Sequence, residues 1–173
     1  MSDKKFGTIL TASLVLAPAV AFADEPVSWT EPSGTGFSMG IENGSSGGAY
    51  SQAIRFRLPL GDHWALTAKT ISMHTFGPNY RLDVGGRLGF LGGSRPVLNI
   101  LRVYGGGGVH VLVPATGAPD GEGVRFGVGG EVGIEAFLSP GMAAFMEVGG
   151  QGSFAETGYG SGATVYGGFQ FYF

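Results

Sequence analysis

The sequence has 173 residues, with 13 acidic and 10 basic side chains and a formal net charge of −3. This mildly acidic balance, without a basic patch, does not favour binding to nucleic acid. Its 34 glycines do not follow the triplet period of collagen, and 43% hydrophobic with only 13% charged residues argues against disorder. The chain contains no cysteine, so disulfides are excluded as a source of stability.

The first 23 residues are predicted to be a secretory signal peptide. Lys4 and Lys5 precede an apolar run, which ends in an A-x-A cleavage site, Ala21 to Ala23. Cleavage near Ala23 leaves enough residues for one domain. Residues 24–35, "DEPVSWTEPSGT", are expected to form an N-terminal lead in the periplasm.

The remaining chain, residues 36–173, is predicted to form eight β-strands, because apolar and polar residues alternate between turn signals. The predicted strands are 36–43, 49–60, 63–74, 79–91, 96–113, 122–138, 142–154 and 161–173. Asn43-Gly44 is expected to close the first hairpin, and glycines 105–108 are expected to mark a bend or bulge. Short links at 61–62, 92–95 and 139–141 alternate with longer ones, as in an up-and-down barrel.

Charged side chains keep to one face in three of the predicted strands. In the fourth strand Arg81, Asp83 and Arg87 alternate with apolar residues, and the second and sixth strands repeat the pattern. A soluble lipocalin-like barrel turns its apolar face inward, whereas a membrane barrel turns it to lipid. The polar faces are rich in glycine, and Lys69 is the one lysine after the signal peptide, which favours the membrane arrangement.

The charges on these polar faces are predicted to pair inside the barrel. An eight-stranded barrel is just wide enough for side chains to fill it, and buried charges need partners. The predicted Arg–carboxylate network consists of Arg55, Arg57, Arg81, Asp83, Arg87, Arg102, Arg125, Glu131, Glu135 and Glu147. Glu42 and Lys69 are further candidates for the interior. The face of Lys69 stays undecided, because the residues on its two sides imply opposite parities.

The chain ends in "VYGGFQFYF", in which Phe169, Phe171 and Phe173 share one face of the last strand. In this it resembles bacterial outer-membrane β-barrels, most closely small eight-stranded members such as the OmpA barrel domain and OmpX. The resemblance implies an all-β, eight-stranded antiparallel up-and-down transmembrane β-barrel in the outer membrane of a Gram-negative-type bacterium. It also implies that these phenylalanines are a C-terminal signal for the barrel-assembly machinery, and that outer-membrane lipid surrounds the barrel.

The expected role is structural, or binding and adhesion through the loops, with an envelope protein as a possible partner. No catalytic residue, metal site or cofactor is predicted. One alternative is a lipid-modifying enzyme, for which Ser72, His74, His110 and Glu156 offer the residue types. Another is a soluble exported barrel that binds a small apolar ligand. A G-x-S-x-G match centred on Ser46 lies in a predicted hairpin, where a catalytic serine is not expected.

Overall fold

Eight β-strands form a closed barrel in the computed structural model, which describes residues 37–60, 63–93, 100–117, 122–154 and 161–173. The strands are β1 Ser38–Ser46, β2 Ala49–Pro59, β3 Trp64–Thr75, β4 Arg81–Gly93, β5 Leu101–Thr116, β6 Arg125–Ser139, β7 Met142–Ser153 and β8 Gly162–Tyr172. Each strand pairs antiparallel with its neighbours in the chain, and β8 closes the barrel on β1. The predicted fold class and strand order are confirmed.

The predicted signal peptide and lead, residues 1–23 and 24–35, lie outside the described residues. None of the described residues belongs to a helix long and apolar enough to cross a membrane. Both Phe37 and Phe173 lie at one end of the barrel, where the Phe173 amide donates to the Phe37 carbonyl oxygen at 3.0 Å. We call this the terminal end, and we call the opposite end, with the links 76–80, 117–124 and 154–161, the loop end.

The first hairpin turns later than predicted. β1 continues through Asn43 and Gly44, and the chain reverses at Gly47 and Gly48. Their φ angles of 56° and 85° form the left-handed pair that a tight two-residue hairpin turn requires. Gly44 instead allows close approach of β8, since a Cβ there would lie 1.9 Å from the Val165 carbonyl oxygen.

The predicted alternation of link lengths is wrong at two places. The β1–β2 link has two residues, although it was expected to be one of the longer links. The β4–β5 link was expected at 92–95, but β4 extends to Gly93 and β5 begins at Leu101, because Gly92 and Gly93 still pair with Gly105 and Tyr104. Pairing with the neighbouring strand therefore overrides the local turn preference of glycine.

Of the bend or bulge predicted at glycines 105–108, the bulge is wrong. These residues pair in unbroken register with both β4 and β6. The two irregular places in the described ladders lie at Leu82/Asp83 and at Phe137/Ser139. Gly108 serves close packing of the strands, since a Cβ on it would lie 2.2 Å from the Leu88 carbonyl oxygen.

The parity of β3, which the sequence left undecided, places Lys69 inside the barrel with 4% of its surface exposed. Met73 shares this inward face and forms a small apolar cluster with Ala49 and Leu112. Lys69 and Met73 lie four positions apart on β3, and Met73 is nearer the loop end. The interior therefore has an apolar layer on the loop-end side of Lys69.

Candidate functional site

The two faces of the barrel wall carry opposite kinds of side chain. Leu88, Val109 and Phe126 are 60–61% exposed on the outer face. The structure places all ten residues of the predicted network inside the barrel. Nine of them are at most 9% exposed, and the Arg102 side chain is 24% exposed. The wall is therefore apolar outside and charged inside.

A central cluster of six charged residues fills the middle of the interior. It consists of Glu42, Arg55, Lys69, Arg87, Glu131 and Glu147. The Lys69 Nζ lies 3.2 Å from an oxygen of both Glu42 and Glu147, and 3.5 Å from Glu131. Arg55 pairs with Glu147, and Arg87 pairs with Glu131 at 2.7 Å. Three cations thus face three carboxylates.

This balance explains how the central cluster tolerates burial. Removing a charge from water costs several kcal/mol for each ion, so close partners are needed to offset that cost. Arg55 and Glu147 also make further hydrogen bonds: Arg55 Nε donates to Gln170 at 3.2 Å, and the Tyr104 hydroxyl donates to Glu147 at 2.7 Å. The Arg55 guanidinium also lies 3.8 Å from the centre of the Phe145 ring. The six charged residues come from six of the eight strands, and Gln170 adds β8 to the cluster.

A second cluster closes the interior toward the loop end. Arg81 donates to both oxygens of Asp83, at 2.8 and 3.0 Å, and Arg125 also pairs with Asp83. Glu122, just before β6, receives hydrogen bonds from Arg81 at 2.5 Å and from Arg125 at 3.2 Å. The hydrogen bond from Arg81 lowers the pKa of the Glu122 carboxyl below its ordinary value. This loop-end cluster ties Glu122 to the barrel rim.

A third cluster lies at the terminal end and carries more positive than negative charge. Arg57 and Arg102 both pair with Glu135. The Tyr172 hydroxyl donates to Glu135 and receives hydrogen bonds from Arg57 and Arg102, each at 3.2 Å. In this terminal-end cluster, two guanidinium groups therefore share one carboxylate.

Some members of the three clusters were not in the predicted network. Tyr104 and Tyr172 share the inward parity of Arg102 and Gln170, so alternation alone places them inside. Glu42 and Lys69 also belong, but neighbouring apolar residues obscure the parity of Lys69. Glu122 lies within the predicted sixth strand and has the parity of the outward-facing Val124 and Phe126, but β6 begins only at Arg125, so alternation does not place Glu122 in a cluster. It was found only from the pairing geometry.

Clusters of aromatic side chains lie on the outer face at both ends. At the terminal end the Phe37 ring stacks on Phe56 at 6.2 Å and on Phe173 at 6.3 Å. Phe171 and Phe173 are 36% and 53% exposed, and Phe169 shares their outward parity. At the loop end the rings of Tyr50, His74, Phe76 and Tyr80 lie 6.0–6.2 Å apart. Membrane proteins place such rings at both lipid–water interfaces.

The candidate catalytic residues do not come together. His74 lies on the outer face and its Nδ1 is 2.8 Å from the Tyr80 hydroxyl, whereas His110 is buried inside. The Ser46 hydroxyl is buried without a hydrogen-bond partner, so no base activates it. Glu156 lies outside the described residues. Within the described ranges, no three histidine or acidic side chains form a group that could hold a metal ion.

Comparison with known proteins places the fold but not a family. No protein-family model and no curated protein matches the chain. The N-terminal β-barrel domain of OprF from Pseudomonas aeruginosa is similar in structure: the TM-score is 0.60 at 12% identity, over 80% of this chain and 98% of that one. Ail, the attachment invasion locus protein of Yersinia pestis, matches at a TM-score of 0.43 and 10% identity, over 79% of this chain and 97% of that one. The predicted resemblance to small eight-stranded outer-membrane barrels is confirmed at the level of the fold.

Proposed function

We propose that the chain is an integral outer-membrane β-barrel whose terminal end faces the periplasm and whose loop end faces outward. The observation that carries the proposal is the inverted polarity of the wall. The apolar side chains of Val109 and Phe126 are exposed on the outer face, whereas the charged side chains of Arg55 and Glu147 are buried inside. In water this arrangement would expose a large apolar surface, whereas in a bilayer lipid covers it.

Gel mobility tests the membrane barrel. Outer-membrane fractions from cells that express the full chain are compared in SDS with and without boiling. A closed membrane barrel resists SDS until heated, so we expect a faster band in the unboiled sample that slows on boiling. A chain found in the soluble periplasmic fraction, with one band under both conditions, would contradict the proposal and would restore the soluble ligand-binding barrel.

Within this class, a structural role or binding through the loop end fits best. Among the described residues, the interior holds three charged clusters and only the small apolar layer of Met73 and Leu112, so a small apolar ligand would meet buried charges there. The separation of His74 from His110 by the wall argues against the lipid-modifying enzyme. Contacts with other molecules are then left to the outer wall and the loops.

Adhesion through the loops has its own test. In one variant, residues 118–121 and 155–160 are replaced by Gly-Ser linkers of equal length, and adhesion of expressing cells to host-cell monolayers is measured. Loss of adhesion with an unchanged gel shift is the result expected of a loop-mediated adhesin. If cells that express the loop variant adhere as well as cells that express the wild type, the loops are not an adhesive surface and the structural role is favoured. The resistance of the envelope to detergent then tests that structural role.

A further inference from the structure

A polar patch interrupts the apolar outer wall on β1, β2 and β3. Asn43, Gln52 and Ser72 face outward in one row of the sheet, because Gln52 pairs with both Asn43 and Ser72. The next outward position on β1, Ser45, pairs with Val165 of β8, which is 49% exposed. The patch therefore borders the apolar part of the wall directly.

Two polar atoms of the patch are free to bind another molecule. Asn43 Oδ1 accepts hydrogen bonds from Gln52 Nε2 at 3.1 Å and from the Tyr50 hydroxyl at 3.0 Å. These bonds leave the amide nitrogen of Asn43 and the carbonyl oxygen of Gln52 without a side-chain partner among the described residues. Such atoms are costly in a bilayer, because hydrocarbon offers no hydrogen bond. The patch thus presents one donor and one acceptor to a molecule in the membrane.

The patch lies in a groove of about 600 Å³ in the outer wall, a volume in the range of small-molecule sites. Ile41 and Ile54 lie on the terminal-end side of the polar row and are 49% and 44% exposed. The groove is therefore aliphatic toward the terminal end and hydrogen-bonding toward the loop end. The outward-facing residues that line it are Ile41, Asn43, Gln52, Ile54, Thr70, Ser72 and Val84.

An aromatic platform, made of the rings of Tyr50, His74, Phe76 and Tyr80, adjoins the groove at its loop end. His74 stacks on Phe76 with 12° between the ring planes, and Phe76 is 72% exposed. The Tyr50 hydroxyl joins the platform to the groove through its hydrogen bond to Asn43. Along the wall, aliphatic groups are thus followed by hydrogen-bonding groups and then by rings. An amphiphile that lies along the wall with its head toward the loop end meets them in that order.

The groove suits a sugar head group better than a phosphate. Each lysine, arginine, aspartate and glutamate among the described residues belongs to one of the three interior clusters, so the described outer wall offers phosphate no cation. The hydroxyl and amide groups of a sugar match uncharged donors and acceptors, and its C–H face can pack on aromatic rings.

We propose that this groove binds the acylated sugar of an outer-leaflet glycolipid. One acyl chain lies along Ile41 and Ile54, the polar groups next to the sugar bond to Asn43 and Gln52, and the sugar ring packs on the aromatic platform. This assignment rests on the proposed function, in which the loop end faces outward. A second copy of the chain fits less well, because a convex barrel touches the rims of a groove and leaves its polar atoms unpaired.

Native mass spectrometry tests the proposal. The full protein is purified from outer membranes in a detergent without sugar groups, and it is titrated with lipid A, an acylated amino-sugar disaccharide, or with phosphatidylglycerol. We expect one lipid A to bind, several-fold more tightly than phosphatidylglycerol. Lipid A stripped of its phosphates should bind equally well, because the described wall has no cation for them.

Three variants locate the site. Asn43→Leu and Gln52→Met keep the size of the side chain and remove its hydrogen-bonding groups, so each should weaken lipid A binding by about fivefold. Val148→Leu alters an outward position on β7 and is the matched control, which should bind as the wild type does. All three place an apolar side chain against lipid, so the heat-modifiable gel band should be unchanged.

Several results would overturn the site while the gel band stays intact. Lipid A binding that both groove variants leave unchanged would do so, as would binding that disappears with the phosphates. Tighter binding of phosphatidylglycerol, or a wild-type dimer that Asn43→Leu and Gln52→Met dissociate, would assign the groove to a different occupant. A wild-type protein without a heat-modifiable band would contradict the membrane barrel itself, and the site with it.

Discussion

The carboxylate of Glu147 receives hydrogen bonds from Arg55, Lys69 and Tyr104, which come from three different strands. It balances two buried cations, and it is 1% exposed. The stability of the central cluster therefore depends strongly on this one charge.

Replacing Glu147 by glutamine keeps the size of the side chain and removes its charge. Arg55 and Lys69 are then left with one carboxylate fewer, and breaking a buried pair typically costs about 3–5 kcal/mol. We expect the free energy of unfolding to fall by about that amount, measured by urea titration of the barrel in vesicles. The double variant Glu147→Gln/Lys69→Met should recover part of the loss, because it restores charge balance. An unchanged urea midpoint for the single variant would show that the cluster contributes no stability.

Acid should weaken the loop-end cluster through Glu122. The pKa of this carboxyl is lowered by its hydrogen bond from Arg81, from an ordinary value of 4.5. The ionised form therefore stabilises the folded barrel above pH 4.5, and that stabilisation is lost as the pH falls through the lowered pKa. Below that point folded and unfolded chains are both protonated at this residue.

The variant Glu122→Gln isolates this effect. At pH 7 we expect it to be less stable than the wild type by about 0.5–1 kcal/mol, as for a partly exposed ion pair. The difference should shrink as the pH falls through the lowered pKa of Glu122, because the wild-type carboxyl then becomes neutral itself. Urea unfolding of both proteins over a series of pH values from 7 downward measures it. A gap that stays constant over the whole series would mean that the charge of Glu122 is not its source.

Among the elements, the β1–β2 hairpin has the most specific local requirement. Gly48 has a φ angle of 85°, and no atom lies within 4 Å of the position that a Cβ would occupy. The requirement for glycine is therefore conformational and not a matter of space. Gly77, in the β3–β4 link, is the matched position, because it also has open space but no left-handed φ.

Gly48→Ala should lower the free energy of unfolding by about 1–2 kcal/mol, because an L-residue is strained in the left-handed region. Gly48→Asn should cost less, because asparagine tolerates that region better. Gly77→Ala should be neutral or slightly stabilising, since alanine has less freedom in the unfolded chain. The three urea midpoints are compared. Equal losses for Gly48→Ala and Gly77→Ala would contradict the turn geometry.

The same hairpin shows what the sequence predicts about elements and what it does not. Alternation located all eight strands, because residue parity is a local property. The turn was placed at Asn43-Gly44 because that dipeptide is a stronger hairpin signal than Gly47-Gly48. The structure uses the second pair because the pairing of β1 with β8 extends to Ser46. Such pairing between the ends of the chain is not visible in a local window.

At the scale of the whole barrel, the sequence predicted the inward charges but not how they divide into clusters. Lys69 reaches Glu42, Glu131 and Glu147 because strand stagger brings β1, β6 and β7 to one level. Glu122 pairs with Arg81 across 41 positions of the chain. Stagger is set by the closure of the whole sheet. For that reason alternation gives the face of a residue but not its partner.

The orientation of the whole wall leads to a prediction that depends on depth. Val132 lies near the middle of β6 and is 58% exposed, whereas Phe154 follows the loop end of β7 and is 72% exposed. If lipid surrounds the barrel, arginine costs about 2–4 kcal/mol at the bilayer midplane but only about 0–1 near the interface. Val132→Arg should therefore reduce the heat-modifiable barrel in outer membranes far more than Phe154→Arg does.

Val132→Leu is the control for a change of size at the same position, and it should assemble normally. In a soluble barrel the outer face would contact water, so Val132→Arg would improve solubility and leave assembly intact. Assembly is measured as the fraction of expressed chain in the unboiled fast band. If the two arginine variants assemble equally well, the outer face does not contact lipid. In a bilayer the cost of arginine depends on its depth, whereas in water it would be the same at both positions.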